Sequence, residues 1–227
     1  MKKRPLLLLF MLSVLIGFSQ NKKKEKPNYK KIERMIKKEN SDFYYPKLVA
    51  KFNAADTTLT LQEKRLLYYG FSFQKNYSPF ENSTFKDSLK TVLSKSRLTN
   101  LDYSSVVKYA DSILVEFPFN FQALNYKLIA FKSLQNKNEF IKTIIQMRTI
   151  IDAITSSGDG KTEETAIYVV NVSHEYLTLS ALGLKFSGEQ SLINHYDYLS
   201  VAENPKGIKG LYFDISPSLN ALGEMLK

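Results

Sequence analysis

Residues 101–134 read LDYSSVVKYADSILVEFPFNFQALNYKLIAFKSL, and their spacing decides the fold. Asp102 can cap a helix over residues 103–117, and Pro118 ends it, because proline brings no N–H to the helical ladder. Val106, Ala110, Ile113, Leu114 and Pro118 follow the small and apolar spacing of the second helix of a tetratricopeptide repeat. In the next segment Ala123, Leu124, Ala130, Phe131 and Leu134 fall where that repeat's first helix takes small, large, small, aromatic and apolar residues. Asn136-Lys137-Asn138 is expected as a turn, with a further helix over residues 139–155. Residues 101–155 therefore read as roughly one and a half tetratricopeptide-like repeats. An unspecialised helical hairpin has similar core spacing and stands as the alternative.

On the N-terminal side the helical period continues. Tyr29, Ile32, Met35 and Ile36 form one stripe, with Lys, Glu and Arg opposite. YYPKLVAKF (44–52) suits a short helix with Pro46 in its first turn. Thr60-Leu-Gln-Glu63 has capping-box spacing and precedes KRLLYYGFSFQ, in which Gly70 can mark close packing. YSPFENS (77–83) reads as a loop, and Ser83 can cap a helix over residues 84–95. In each of the pairs Tyr44-Tyr45 and Tyr68-Tyr69 one ring is expected in the core and one at its edge, with a sugar- or peptide-binding groove as the alternative use.

The C-terminal third has another texture. AIYVV (166–170) is β-branched and suits a buried strand. SHEYLTLSALGL (173–184) suits a helix capped by Asn171 or Ser173, with Gly183 near its end. HYDYLSV and GIKGLYFDIS are strand-like and are separated by the turn residues Glu203–Gly207. Leu199, Val201, Leu211, Phe213 and Ile215 face one side, and Tyr198, Tyr212 and Asp214 the other. A short helix over residues 218–226 follows Pro217. The fold class is α+β: residues 28–157 helical and tetratricopeptide-like, residues 158–227 a small antiparallel sheet with helices.

The termini and composition bound the compartment. Lys2, Lys3 and Arg4 precede an uncharged apolar run to Phe18, and Gly17 and Ser19 occupy the −3 and −1 positions of a cleavage site. Residues 1–19 thus read as a secretory signal peptide, followed by a basic linker over 20–27. The run is shorter than the roughly 20 residues a membrane-spanning helix needs, so no transmembrane anchor is expected after cleavage. The expected location is periplasmic or secreted, in a Gram-negative bacterium. With no cysteine there is no disulfide framework, lipid-anchored cysteine or thiolate metal site. The net charge is +10, but +3 belongs to the signal and +3 to the tract of four Lys and one Glu at residues 21–26. The remaining +4 does not form a nucleic-acid footprint.

Besides the tyrosine pairs, two groups of residues invite a chemical reading. SSGDGKT (156–162) resembles the end of a phosphate-binding loop, G-x-x-x-x-G-K-[ST]. Alignment on Gly160-Lys161-Thr162 puts Thr155 where the first glycine belongs, and a helix precedes the loop where the motif needs a strand. No nucleotide is expected. Instead Gly158 is expected to end the long helix in a left-handed conformation, Asp159-Gly160 to turn the chain, and Thr162 to cap a helical turn carrying Glu163 and Glu164. A glycine-lined nest binding a small anion beside Lys161 is the functional alternative. His174-Glu175 and His195-x-Asp197 form the second group. Adjacent residues on a helix point about 100° apart, so the first pair cannot easily share a ligand, and no metal is expected. No G-x-S-x-G elbow or H-E-x-x-H occurs, so no catalytic residue is assigned.

YYPKL (44–48), YYGF (68–71), SSGDGKTEETA (156–166), SHEY (173–176) and GLYFDIS (210–216) occur in that order, and with them the chain from Pro27 onward resembles the bacterial "domain of unknown function 4919" family. The resemblance implies a shared fold and an exported protein, and it carries over no catalytic residue and no cofactor. The expected function is a non-enzymatic binding module of the cell envelope with a protein or peptide partner. The partner is expected in an open groove between the helices over residues 102–117 and 120–155, and the candidate contacts outside that groove are Gly158, Asp159, Gly160, Lys161, Glu164, His174 and Glu175. The alternative is an envelope hydrolase in which Lys161, His174 and Glu175 converge.

Overall fold

A computed structural model describes residues 24–78 and 83–227. The expected signal peptide and its cleavage point at Gln20 lie outside the described residues, as do residues 79–82 of the expected loop. α1 (Tyr29–Ile36) buries Ile32 and Ile36, as its stripe requires. α2 (Tyr45–Asn53) carries Pro46 in its first turn. α3 (Leu61–Gly70) starts with the Thr60–Glu63 capping box and runs into a 3-10 turn, Phe71–Phe73. A methyl group on Gly70 would meet Ile36 and Tyr45 at 3.1 and 3.2 Å, so this glycine lets α3 approach α1 and α2. Tyr45 is buried and Tyr44 only half-buried, but Tyr68 and Tyr69 are both fully buried. The difference is that α3 packs against α1, α2 and α7, leaving it little solvent edge.

α4 (Phe85–Leu93), α5 (Asn100–Glu116), α6 (Phe121–Ser133) and α7 (Lys137–Thr155) pack as successive neighbours. Asp102 does not cap α5. Thr99 is the cap, and Asp102 is the third helical residue, its carboxylate accepting the Thr99 N–H at 2.9 Å while its own N–H reaches the Thr99 hydroxyl at 3.3 Å. The motif is a T-x-x-D capping box, so the helix starts earlier than expected. The α6–α7 turn also falls earlier: Gln135 takes the left-handed conformation, Asn136 caps, and Lys137 and Asn138 open α7. The basic linker is pinned at its described end. Glu25 N–H bonds the Ser156 carbonyl at 3.1 Å, Lys24 reaches the Thr155 carbonyl, and Arg65 bridges Glu25 to Ser156. Cations collect there because the last carbonyls of α7 lack helical partners and carry its negative end.

The sheet has the order β1-β4-β3-β2, from β1 (Ile167–Tyr168), β2 (Phe186–Ile193), β3 (Tyr196–Val201) and β4 (Gly210–Asp214). β1 runs parallel to β4, so the sheet is mixed, and the other pairs are antiparallel. β2 is unanticipated because all eight of its residues are exposed and no alternation marks them. It forms by pairing with β3 across Asn194-His195, with Asn194 at φ 58°. α8 (Ser173–Ala181) packs on α7, and α9 (Ser216–Met225) starts two residues before the expected point with Pro217 inside its first turn. One core joins α1–α3, α6, α7 and the sheet through residues such as Leu48, Tyr69, Ile154 and Phe213. A second cluster, Leu89, Val106, Ala110, Ile113, Phe117, Ala123 and Ala130, joins α4, α5 and α6.

Candidate functional site

The 156–166 loop is a structural junction. α7 ends through Ser156 in a right-handed conformation, and Gly158 is not left-handed. Gly158 is required for a different reason: a methyl there would overlap the carbonyl oxygens of Thr165 and Ala166, which cross it directly. Gly160, at φ 71°, supplies the left-handed turn. Its N–H bonds Thr165 O at 2.8 Å and its carbonyl takes the Tyr212 N–H at 2.8 Å, tying the loop to β4. The Lys161 N–H goes to Asp159 Oδ1 at 3.1 Å and the Thr162 N–H to Thr165 Oγ1 at 3.2 Å. Those three N–H groups are spent within the loop, as the structural turn requires, and are not free for the alternative use in an anion nest. Lys161 extends into solvent with its Nζ 3.9 Å from Asp159, and Glu164 is exposed, its carboxyl held low by the Thr162 hydroxyl.

His174 and Glu175, at the start of α8, are both buried. His174 Nε2 lies 3.0 Å from the Phe119 carbonyl, which can only accept, so Nε2 carries the proton. Nδ1 then accepts the Tyr68 hydroxyl at 2.7 Å, and that hydroxyl accepts the Val170 N–H at 3.2 Å. Every polar atom of the imidazole is satisfied in the neutral form, and burial pushes its pKa down to about 4. Such a histidine staples α3, α8 and the Pro118 corner, and has no nitrogen free for substrate.

Glu175 is the opposite case. Neither carboxyl oxygen has a hydrogen-bond partner among the described residues, and burial, with the nearby Asp197 charge, pushes its pKa up to about 9. Asp197 is buried on β3. Its Oδ2 accepts from Gln190, whose Oε1 accepts the Tyr176 hydroxyl at 2.6 Å. His195 and Asp197 do not act together. His195 occupies the β2–β3 turn, with Nε2 3.5 Å from Asp214 Oδ2. Among the described residues no three His, Asp or Glu side chains are placed to hold a metal. Lys161 in solvent and His174 in the core thus occupy separate environments.

Two concavities have walls that the sequence leaves unassigned: the expected helical groove opens against α4, and a second lies at α9. One, of about 370 Å³, lies between α4 and the α5–α6 corner, with Leu89, Leu93, Ile113, Ala123 and Tyr126 in its walls and Lys90 at its rim. The other, of about 630 Å³, lies between the α1 and 3-10 turn region and α9. Each is a juxtaposition of distant segments, so no local signal announces it.

A family model described as "Domain of unknown function (DUF4919)" matches residues 30–223. No curated protein and no solved structure matches the chain. The chain belongs to the DUF4919 family.

Proposed function

We propose that this DUF4919 chain is an exported, non-enzymatic binding module of the bacterial cell envelope, which takes a protein or peptide partner into the groove between α4 and the α5–α6 corner. The observation that carries the reading is that this groove stays open. The side chains of the described residues leave about 370 Å³ over buried Leu89, Ile113 and Ala123, with half-buried Leu93 and Tyr126 beside them. Apolar walls favour an aliphatic or aromatic anchor, at about 25 cal/mol per Å² removed from water. Lys90 on the rim favours a carboxylate next to that anchor and sets its direction more than its affinity. The tetratricopeptide-like spacing of α5 and α6 fits this use, since stacked helical hairpins present concave binding surfaces. The basic and apolar N-terminal segment supports export. The saturated, neutral His174 speaks against the hydrolase alternative.

Selection of ligands from a random peptide library tests the proposal. Enriched peptides carry an apolar residue beside Asp or Glu. Lys90→Glu weakens them roughly tenfold, about 1.4 kcal/mol, whereas Lys75→Glu elsewhere leaves them unchanged. Equal enrichment on a Leu93→Asp protein refutes the groove as the site. Fractionation of cells expressing the full chain checks export, and a purely cytoplasmic product overturns that part.

A further inference from the structure

The larger concavity has a chemistry of its own. Its α9 wall is built from two rows at four-residue spacing, the spacing that stacks side chains on one helix face. Ser216, Asn220 and Glu224 form a polar row, and Pro217, Ala221 and Met225 form an apolar row beside it. The opposite wall repeats the pairing of chemistries, with Gln74 and Lys75 beside the rings of Phe73 and Tyr77, and Tyr29 behind them. Asn220, Glu224 and Lys75 have no hydrogen-bond or ionic partner among the described residues, and one charge of each sign leaves the cleft close to neutral. Eight residues of helix extend the rows on the order of 12 Å, longer than a single sugar ring.

We infer that this cleft binds a neutral oligosaccharide, its hydroxyl edge on the Ser216–Asn220–Glu224 row and its C–H faces on the aromatic and aliphatic row. A pyranose ring carries that division, a polar rim around apolar faces. Amide and carboxylate side chains provide the donors and acceptors its hydroxyls need, and aromatic rings provide apolar area at little entropic cost. Phosphorylated ligands fit poorly, because the single Lys75 is offset by Glu224. A peptide added as an extra strand finds no sheet edge to pair with, because helices and a turn wall this cleft. The site is separate from the α4–α6 groove, and the two readings stand or fall independently.

Calorimetric titration of the purified protein with triacetylchitotriose, maltotriose, cellotriose and xylotriose tests the inference, with the parent monosaccharides and trialanine as further probes. At least one trisaccharide binds, more tightly than its monosaccharide. Asn220→Ala and Glu224→Ala each weaken it fivefold or more, and Lys90→Glu in the other groove leaves it unchanged. Asn220 and Glu224 are exposed, and unaltered thermal unfolding of both variants verifies that they fold. Three results overturn the inference: no trisaccharide bound at about 10 mM, tenfold above a millimolar dissociation constant; binding indifferent to both variants; or trialanine bound in place of every sugar.

Discussion

Glu175 and its neighbour His174 both have strongly displaced proton equilibria, and both bear on stability. Unfolded, Glu175 releases its proton above about 4.5, whereas the folded chain keeps it up to about 9. The folded state therefore binds more protons across that window, and stability falls as pH rises through it. His174 acts in the other direction: the folded chain refuses a proton that the unfolded chain accepts below about 6.5, so stability falls as pH drops toward 4. Glu175→Gln, which cannot ionise, removes the first term. Thermal unfolding from pH 5 to 9 will show the variant gaining on the parent as pH rises, by up to ~3 kcal/mol at pH 7. Parallel curves would show that Glu175 ionises freely in the folded protein. His174 and Glu175 could be singled out in the sequence as adjacent polar residues. Which of them is satisfied and which is stranded depends on Phe119, Tyr68 and Asp197, all remote in the chain.

Among the elements, boundaries carried by side-chain chemistry were readable. The Thr60–Glu63 box, the Pro46 first turn and the Pro118 stop are all realised, since each depends on residues within four positions of one another. Of the two loop glycines, Gly160 turns the chain as expected and Gly158 departs from its expected role. Left-handed geometry belongs to Gly160, and Gly158 is needed because the strand-side chain crosses it. Gly158→Ala is accordingly the worse change, at or above the ~3 kcal/mol upper end of overpacking, against about 1–2 kcal/mol for a left-handed alanine at Gly160. Chemical denaturation of the two variants gives the order, and a milder Gly158→Ala would mean the crossing segment yields. β2 was missed because an edge strand exposed along its whole length has no hydrophobic face to leave a period in the sequence.

At the scale of the whole molecule, Phe117-Pro118-Phe119 holds the two apolar clusters together. Phe117 belongs to the α4–α6 cluster, and Phe119 to the main core, where its ring meets Phe52, Tyr68 and Phe71 with centroids 5.4 to 5.6 Å apart. Phe119→Ala is expected to cost 3–5 kcal/mol, about the usual loss for a buried phenylalanine. It should also lower hydrogen-exchange protection in α3 and α8, because the carbonyl that anchors His174 moves with it; protection changes confined to α6 would contradict this linkage. By itself the sequence determined the α+β class, the amphipathic stripes of α1, α5 and α6, the inward faces of β3 and β4, and the family. These follow from periodicity and capping, which act over a few residues. Only the tertiary structure decided the parallel β1–β4 pairing, the stranded carboxyl of Glu175, the spent donors of the 156–166 loop and the two open concavities. Each of those depends on which distant segments meet, and burial and hydrogen-bond satisfaction are properties of that meeting.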